Sequence, residues 1–199
     1  NTSLKNENVD ISNLSLTDFG AGNGYFVAAA LESNFKNVYG YEVSNNCVNF
    51  ANEMFGSKIL KSFSIPKTLD VIKNVDTEIL SMIGVLEHLQ HPRKVLKQIN
   101  LNNSIEYLYL SVPVFGLSVY LELLFPEMMH RQLSRDHTHL YTKESLEWTA
   151  KNLNMEIVST WWFGQEMLDL YRFGSLVLSK ESNISPKWQS IFLKIIDRL

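Results

Sequence analysis

The spacing of apolar residues changes several times along the first half of the chain. Short runs rich in β-branched and aromatic residues alternate with longer segments in which apolar residues recur every three or four positions. The short runs predict strands at residues 14–19, 37–42, 57–63, 78–82 and 105–112. The longer segments predict helices at residues 24–35, 44–55 and 92–101. This alternation favours an α/β protein with a parallel sheet covered by helices on both faces.

The regular pattern stops after residue 112. An apolar and aromatic insertion without a clear period follows at residues 114–136. A helix capped by Thr142 is predicted to reach residue 154, and two more strands are predicted at 155–162 and 175–179, the first with Trp161 and Trp162 in the core. We therefore expect a domain at 14–182, preceded by a tail or loop at 1–13 and followed by an amphipathic helix at 183–199.

Composition narrows the class of protein. The 18 basic residues against 21 acidic ones give a net charge of −3, which argues against a nucleic-acid partner. One cysteine, Cys47, excludes a disulfide scaffold. The sequence contains no apolar run long enough to cross a membrane and nothing that resembles a signal peptide. These features predict a cytoplasmic domain, and the first residue, Asn1, suggests an N-terminus that has been trimmed.

The strongest chemical signal is a glycine-rich turn between the first strand and the first helix. It reads Asp18-Phe19-Gly20-Ala21-Gly22-Asn23-Gly24. Glycines here permit positive φ angles and let a ligand approach the backbone, where the helix supplies free N–H groups. Glu42 ends the next strand, where a carboxylate can accept both hydroxyls of a ribose. The alternative is that the glycines merely allow a tight turn.

Two other glycine motifs fit less well. The dinucleotide fingerprint needs its third glycine at position 25, which is Tyr25 in this chain. A phosphate-binding loop needs a Gly-Lys-Ser/Thr sequence, and the turn has none.

The turn resembles motif I of the class I S-adenosylmethionine-dependent methyltransferases, Asp/Glu-x-Gly-x-Gly-x-Gly. Two later segments, 83–92 (IGVLEHLQHP) and 136–146 (DHTHLYTKESL), are similar to stretches in the subgroup of ubiquinone-pathway and sugar O-methyltransferases. The likeness extends over residues 14–180. It implies a Rossmann-like, doubly wound, mostly parallel sheet of seven strands, the last one antiparallel.

The resemblance also implies a set of cofactor-binding residues. Asp18 would order the loop or reach the cofactor's amino group, and Glu42 would hold the ribose hydroxyls. We expect Glu42 to contribute little to stability in the absence of ligand. In many relatives an aspartate binds the adenine amino group at the position where this chain has Phe63. Phe63 either stacks on the adenine or belongs to the core. The other residues implied in the site are Gly20, Ala21, Gly22, Gly24, Val43, Ile83 and Gly84.

Histidines are the candidates for a catalytic base. Methyl transfer to an oxygen or nitrogen requires an aligned acceptor that loses a proton, and imidazole titrates near neutral pH. His88 follows the fourth strand and His137 precedes the late helix, and we expect His139 to face away from His137. Glu87 beside His88 raises the possibility of a metal ligand, but without a matching second carboxylate we predict no metal site.

The expected reaction is S-adenosylmethionine-dependent methylation, which releases S-adenosylhomocysteine, of an oxygen on a small molecule or sugar. Two alternatives remain open: a catalytically degenerate cofactor-binding partner subunit, and a nicotinamide-dependent oxidoreductase, which Tyr25 disfavours. The insertion at 114–136 is interpreted as a lid over an apolar acceptor. It would otherwise form a homodimer interface or touch a membrane surface.

Overall fold

A computed structural model describes residues 10–124, 132–133, 136–162, 171, 190 and 194. The chain separates into two compact units. The first consists of residues 1–113 with 141–159, and the second of residues 114–140 with 160–199.

The first unit contains a parallel five-stranded sheet in the order β3-β2-β1-β4-β5. Its strands are β1 (Ser15–Phe19), β2 (Asn37–Glu42), β3 (Leu60–Ser62), β4 (Ile79–Ile83) and β5 (Tyr107–Ser111). The register aligns Asp18 of β1 with Gly40 of β2 and with Ser81 of β4. All five strands end at the same edge, which is where open α/β sheets bind ligands.

Six α-helices occur among the described residues, and all but the fifth belong to the first unit. They are α1 (Tyr25–Leu31), α2 (Asn45–Met54), α3 (Thr68–Asn74), α4 (Pro92–Asn100), α5 (Leu117–Leu124) and α6 (Lys143–Asn152).

Local sequence explains where several of these helices begin. The Ser44 side chain accepts a hydrogen bond from the Cys47 N–H at the start of α2. Pro92 occupies the first turn of α4, where its missing N–H costs nothing. Thr142 and Ser145 form a reciprocal capping box at the start of α6.

Alternating side chains of the strands build one core on each face of the sheet. On one face, Leu16 and Ile79 pack with Val27 of α1 and Ala51 of α2. On the other, apolar side chains of β1 and β4 pack with residues of α3, α4 and the segment around α6: Phe19, Leu80, Met82, Ile72, Val95, Leu96, Ile99, Tyr141 and Leu153. Strands buried on both faces explain why the sequence of β4 reads as a nearly continuous apolar run.

The predicted architecture is confirmed as a Rossmann-like α/β fold, but not its seven strands. The described residues form five strands, and residues 155–162 are not a strand. A strand requires a neighbour for its ladder, and no described residue pairs with this segment. The side chains of Trp161 and Trp162 are 80% and 50% exposed, so their assignment to the core is wrong. The predicted strand at 175–179 and helix at 183–199 lie outside the described residues.

The insertion of the second unit does contain a helix, which its sequence did not reveal. In α5 the side chains of Ser118, Val119 and Glu122 are buried, whereas those of Tyr120 and Leu123 are exposed. Apolar residues therefore lie on both faces of α5, and this removes the amphipathic signal. Among the described residues, no helix is both long and apolar enough to cross a membrane.

Candidate active site

The glycine-rich turn lies where β1 ends and α1 begins. Its path is fixed by the backbone of β2, since the N–H groups of Gly20 and Ala21 both donate to the Tyr41 carbonyl at 2.8 and 3.0 Å. Gly20, Gly22 and Gly24 all have positive φ angles, +81°, +53° and +77°. These conformations favour glycine, so the sequence pattern is a requirement of the backbone as well as of any ligand.

The three glycines differ in what surrounds them. A Cβ on Gly20 would lie 2.4 Å from the Val85 side chain, and one on Gly24 would lie 3.0 Å from the Cβ of Ala51. A Cβ on Gly22 would have no described atom within 4 Å. Gly20 and Gly24 thus permit close packing of the protein on itself, whereas Gly22 faces open space that a ligand can occupy.

Glu42 connects the glycine turn to the end of β2. Its side chain is 8% exposed. One carboxylate oxygen accepts the Gly22 N–H and the other accepts the Ser44 N–H, each at 2.8 Å. The prediction that Glu42 is unimportant for stability therefore conflicts with the structure, because a buried carboxylate with two backbone partners is part of the folded framework.

Asp18 lies beneath the turn and is almost completely buried, with 3% of its surface exposed. The Ser81 hydroxyl of β4 donates to its Oδ1 atom at 2.6 Å. Burial raises the pKa of Asp18 to about 6; the hydrogen bond from Ser81 opposes this rise, and the negative charge of Glu42 adds to it. Asp18 therefore titrates close to the physiological range.

The remaining predicted cofactor residues lie at the ends of β2, β3 and β4. Val43 and Ile83 expose much of their apolar side chains. Gly84 has a φ of +64° and donates its N–H to the Ser111 carbonyl of β5 at 2.9 Å. The Phe63 ring contacts the rings of Phe19 and Tyr41, at centroid distances of 4.9 and 6.1 Å, so its core contacts are established. Stacking of Phe63 on adenine stays a prediction.

These residues fit an adenosyl cofactor in three respects. The space over Gly22 is open, so a ligand can contact the backbone there. Each Glu42 oxygen accepts one backbone hydrogen bond and retains lone-pair capacity for a ribose hydroxyl. The apolar side chains of Val43 and Ile83 are exposed at the ends of β2 and β4, on either side of β1, where a ligand can contact them.

His88 ends a short 3₁₀ turn, Leu86–His88, that follows β4. The histidine side chain is exposed, whereas that of the neighbouring Glu87 is 3% exposed. The Tyr141 hydroxyl donates to the Leu86 carbonyl at 3.3 Å and thereby holds this turn. Burial, followed by the charge of Glu87, raises the pKa of Tyr141 to about 12, so the phenol stays protonated and able to donate.

Two other histidines, His137 and His139, belong to the second unit. His137 Nδ1 lies 3.0 Å from the Gln132 carbonyl. His137 and His139 are both half-buried, whereas the intervening Thr138 is exposed. Residues two apart in an extended chain share a face, so the spacing of His137 and His139 does not support the expectation that they face opposite ways.

Sequence reasoning missed Ser81 and Glu122, which are both buried polar residues. Ser81 was treated only as part of a strand, although a serine inside the apolar sequence Ile-Leu-Ser-Met-Ile was a signal of a polar partner. In the second unit, Glu122 is buried and accepts backbone N–H bonds from Gln132 and Leu133, both at 2.8 Å. Nothing in the irregular pattern of the insertion indicated this contact.

The fold and the turn together define a nucleotide-cofactor protein of the Rossmann-like class. A family model described as a methyltransferase domain matches residues 4–160, and since the match spans most of the 199 residues, the chain belongs to this methyltransferase-domain family. The predicted enzyme class, methyltransferase, is thereby confirmed for the domain, and the predicted cofactor, S-adenosylmethionine, agrees with that class.

Solved structures give the same result for the fold. The chain is similar to one in a complex of the Haloferax volcanii Trm112 methyltransferase activator with a candidate methyltransferase, at 12% identity, a TM-score of 0.55 and coverage of 76% of this chain and 64% of that one. A candidate methyltransferase from Bacillus halodurans gives 12% identity, a TM-score of 0.53 and coverage of 76% and 66%. An Archaeoglobus fulgidus SAM-dependent methyltransferase gives 13% identity, a TM-score of 0.51 and coverage of 100% and 85%.

The chain spans slightly less than two thirds of the first two of these proteins. A search of curated proteins gives no match. The narrower likeness to ubiquinone-pathway and sugar O-methyltransferases stays a prediction.

Proposed function

We propose that this protein transfers a methyl group from S-adenosylmethionine to an oxygen of a small molecule or sugar. The observation that carries the proposal is the arrangement around Gly22. Its backbone faces open space, and its N–H is held by a carboxylate with capacity for hydroxyl groups. The bound cofactor would supply a methyl group on a positively charged sulfur.

We further propose how the protein's residues bind that cofactor. Glu42 accepts the ribose hydroxyls, and Asp18 receives the amino group of the methionine part. Val43 and Ile83 contact the base with the apolar surface that they expose at the edge of the sheet. Phe63 completes this surface from β3.

A base must remove the proton of the acceptor, and we propose His88 for this role in preference to His137. The exposed imidazole of His88 follows β4 at the ligand-binding edge of the sheet, within reach of solvent and small molecules. The 3₁₀ turn that carries His88 is held by the Tyr141 hydroxyl, so the backbone at this histidine has a fixed position. For His137, the orientation of the ring is instead set by the contact between its Nδ1 atom and the Gln132 carbonyl.

The acceptor is proposed to be uncharged or weakly acidic and partly apolar. The insertion exposes large apolar side chains at Phe115, Tyr120 and Leu123, and these suit contact with an apolar molecule. The overall net charge of −3 does not favour a polyanionic substrate.

The first test is calorimetric titration of the purified protein with S-adenosylhomocysteine and, separately, with NAD. We expect heat of binding from S-adenosylhomocysteine and none from NAD. Methyl transfer is then measured with radiolabelled S-adenosylmethionine against a panel of phenols, carboxylic acids, sugars and amines. Transfer to hydroxyl compounds supports the proposal. A folded protein that does not bind S-adenosylhomocysteine contradicts it, and binding with no transfer favours the partner-subunit alternative.

A further inference from the structure

A serine in the middle of β4 is unusual for its surroundings. Ser81 is 0% exposed and lies between Leu80 and Met82, which are both core residues. Burying a hydroxyl is costly unless it is hydrogen-bonded, and a small apolar residue would fill the same position at lower cost. A buried hydroxyl at this position therefore indicates a hydrogen-bonding partner nearby.

That partner is Asp18. The register of the parallel sheet sets Ser81 directly opposite Asp18, so their side chains leave the same face of adjacent strands. The Oγ–Oδ1 distance of 2.6 Å is typical of a hydroxyl that donates to an ionised carboxylate. The Thr17 carbonyl, at 3.4 Å from the same hydroxyl, is at the limit of hydrogen bonding.

We propose that Ser81 is a positioning residue of the cofactor site, whose hydroxyl holds the Asp18 carboxylate in the orientation and ionised form that receive the amino group of the cofactor. The proposal rests on the proposed function, because it assumes that Asp18 meets that amino group. Ser81 itself does not touch the cofactor.

The charges around Asp18 show why such a residue is needed. Asp18 faces Ser81 on β4 and Gly40 on β2, and the charged group that acts on it among the described residues is Glu42, which is also negative. Burial and Glu42 both favour the protonated form of Asp18, and the hydrogen bond from Ser81 favours the ionised form. Without the hydroxyl, Asp18 would hold its proton to a higher pH.

The test measures S-adenosylhomocysteine affinity from pH 5 to pH 9 in wild-type protein and in Ser81→Ala. We expect affinity to rise with pH through the titration of Asp18 and the rise to move upward by about one pH unit in Ser81→Ala. Near pH 6.5 the variant then binds several-fold more weakly, and near pH 9 the two proteins agree. The ligand's own amino group titrates equally in both measurements and cancels from the comparison.

Two further variants separate positioning from a general loss of core structure. Thr17→Val is the matched control, because Thr17 is 0% exposed, adjoins Asp18 in sequence and has a hydroxyl that makes no hydrogen bond among the described residues. We expect its pH profile to match that of wild type. In an Asp18→Asn background, the Ser81→Ala change should no longer move the profile, whereas a merely structural effect would persist.

A measurement without cofactor distinguishes the two proposals. The Asp18 carboxyl is followed by carbon NMR of labelled, ligand-free protein, and Ser81→Ala should raise its pKa. If wild-type protein fails to bind S-adenosylhomocysteine, the proposed function fails, and the role of Ser81 in that site fails with it even when the NMR shift is found. If binding occurs but neither the pH profile nor the Asp18 titration changes in Ser81→Ala, the role of Ser81 alone is overturned. Ser81→Thr keeps the hydroxyl, and a restored profile in that variant supports the proposal.

Discussion

Two glycines provide a matched test of the cofactor site. Gly22 and Gly56 have similar positive φ angles, +53° and +63°, and an added Cβ at either position has no described atom within 4 Å. Alanine at either position must adopt a left-handed conformation, which costs about 1–2 kcal/mol. Gly22→Ala and Gly56→Ala should therefore destabilise the protein equally and lower its melting temperature by a few degrees.

Under the proposed function, only one of the two substitutions is expected to affect ligand binding. Gly56 lies just after α2 and outside the glycine turn, whereas the methyl group of Gly22→Ala enters the space proposed for the cofactor. Steric crowding in a packed site costs roughly 1–3 kcal/mol, which corresponds to about a 5- to 150-fold loss of affinity. Calorimetry with S-adenosylhomocysteine should show this loss in Gly22→Ala and wild-type affinity in Gly56→Ala. Equal affinities in two folded variants would refute the location of the site.

Three other substitutions test the carboxylates and the base. Glu42→Ala should weaken S-adenosylhomocysteine binding by roughly 2–3 kcal/mol and also lower the unfolding free energy in urea by about 1–3 kcal/mol, because two backbone N–H groups lose their acceptor; an unchanged urea midpoint would show that the contact is not stabilising. The folded-state pKa of Asp18, about 6, lies above its ordinary value of 3.8, so its contribution to stability is full below about pH 4 and is lost as pH rises through 6. Asp18→Asn should thus raise the unfolding free energy at pH 7 by up to about 3 kcal/mol, with no gain near pH 4, in thermal scans across that range; a gain that is independent of pH would contradict the assignment. His88→Ala should reduce methyl transfer to a hydroxyl acceptor by about 10²- to 10⁴-fold without changing S-adenosylhomocysteine affinity, and full activity in this variant, with loss in His137→Ala, would move the base to His137.

The parts of the fold that sequence predicted are those with strong local signals. The turn from β1 into α1 has three glycines that the backbone requires, and α2, α4 and α6 have identifiable starts at Ser44, Pro92 and Thr142. The helix α3 escaped prediction because its sequence, Thr-Leu-Asp-Val-Ile-Lys-Asn, contains β-branched residues and buries only Ile72. Tertiary packing, which a local pattern does not encode, decides such a segment.

The candidate site divides in the same way. Gly22, Glu42 and Asp18 could be predicted as site residues because a glycine motif and strand-end carboxylates are visible in sequence. The hydrogen bonds that Glu42 and Asp18 accept were not visible in sequence. Glu42 and Gly22 are separated by 20 positions, and Asp18 and Ser81 by 63, so each pair meets only through the register of the sheet. The error on His139 came from the direction assigned to side chains two residues apart, not from tertiary structure.

The bond between Glu42 and the Gly22 N–H has a kinetic consequence. Because this bond joins two groups of the protein and needs no ligand atom, it can hold the turn in its binding shape before a cofactor arrives, and little conformational entropy is then lost on association. Association of S-adenosylmethionine should accordingly follow a single second-order phase with no slow rearrangement. The product, S-adenosylhomocysteine, should dissociate by the reverse of the same step. A protein built this way can accept fresh cofactor and release spent cofactor without refolding its loop in each turnover.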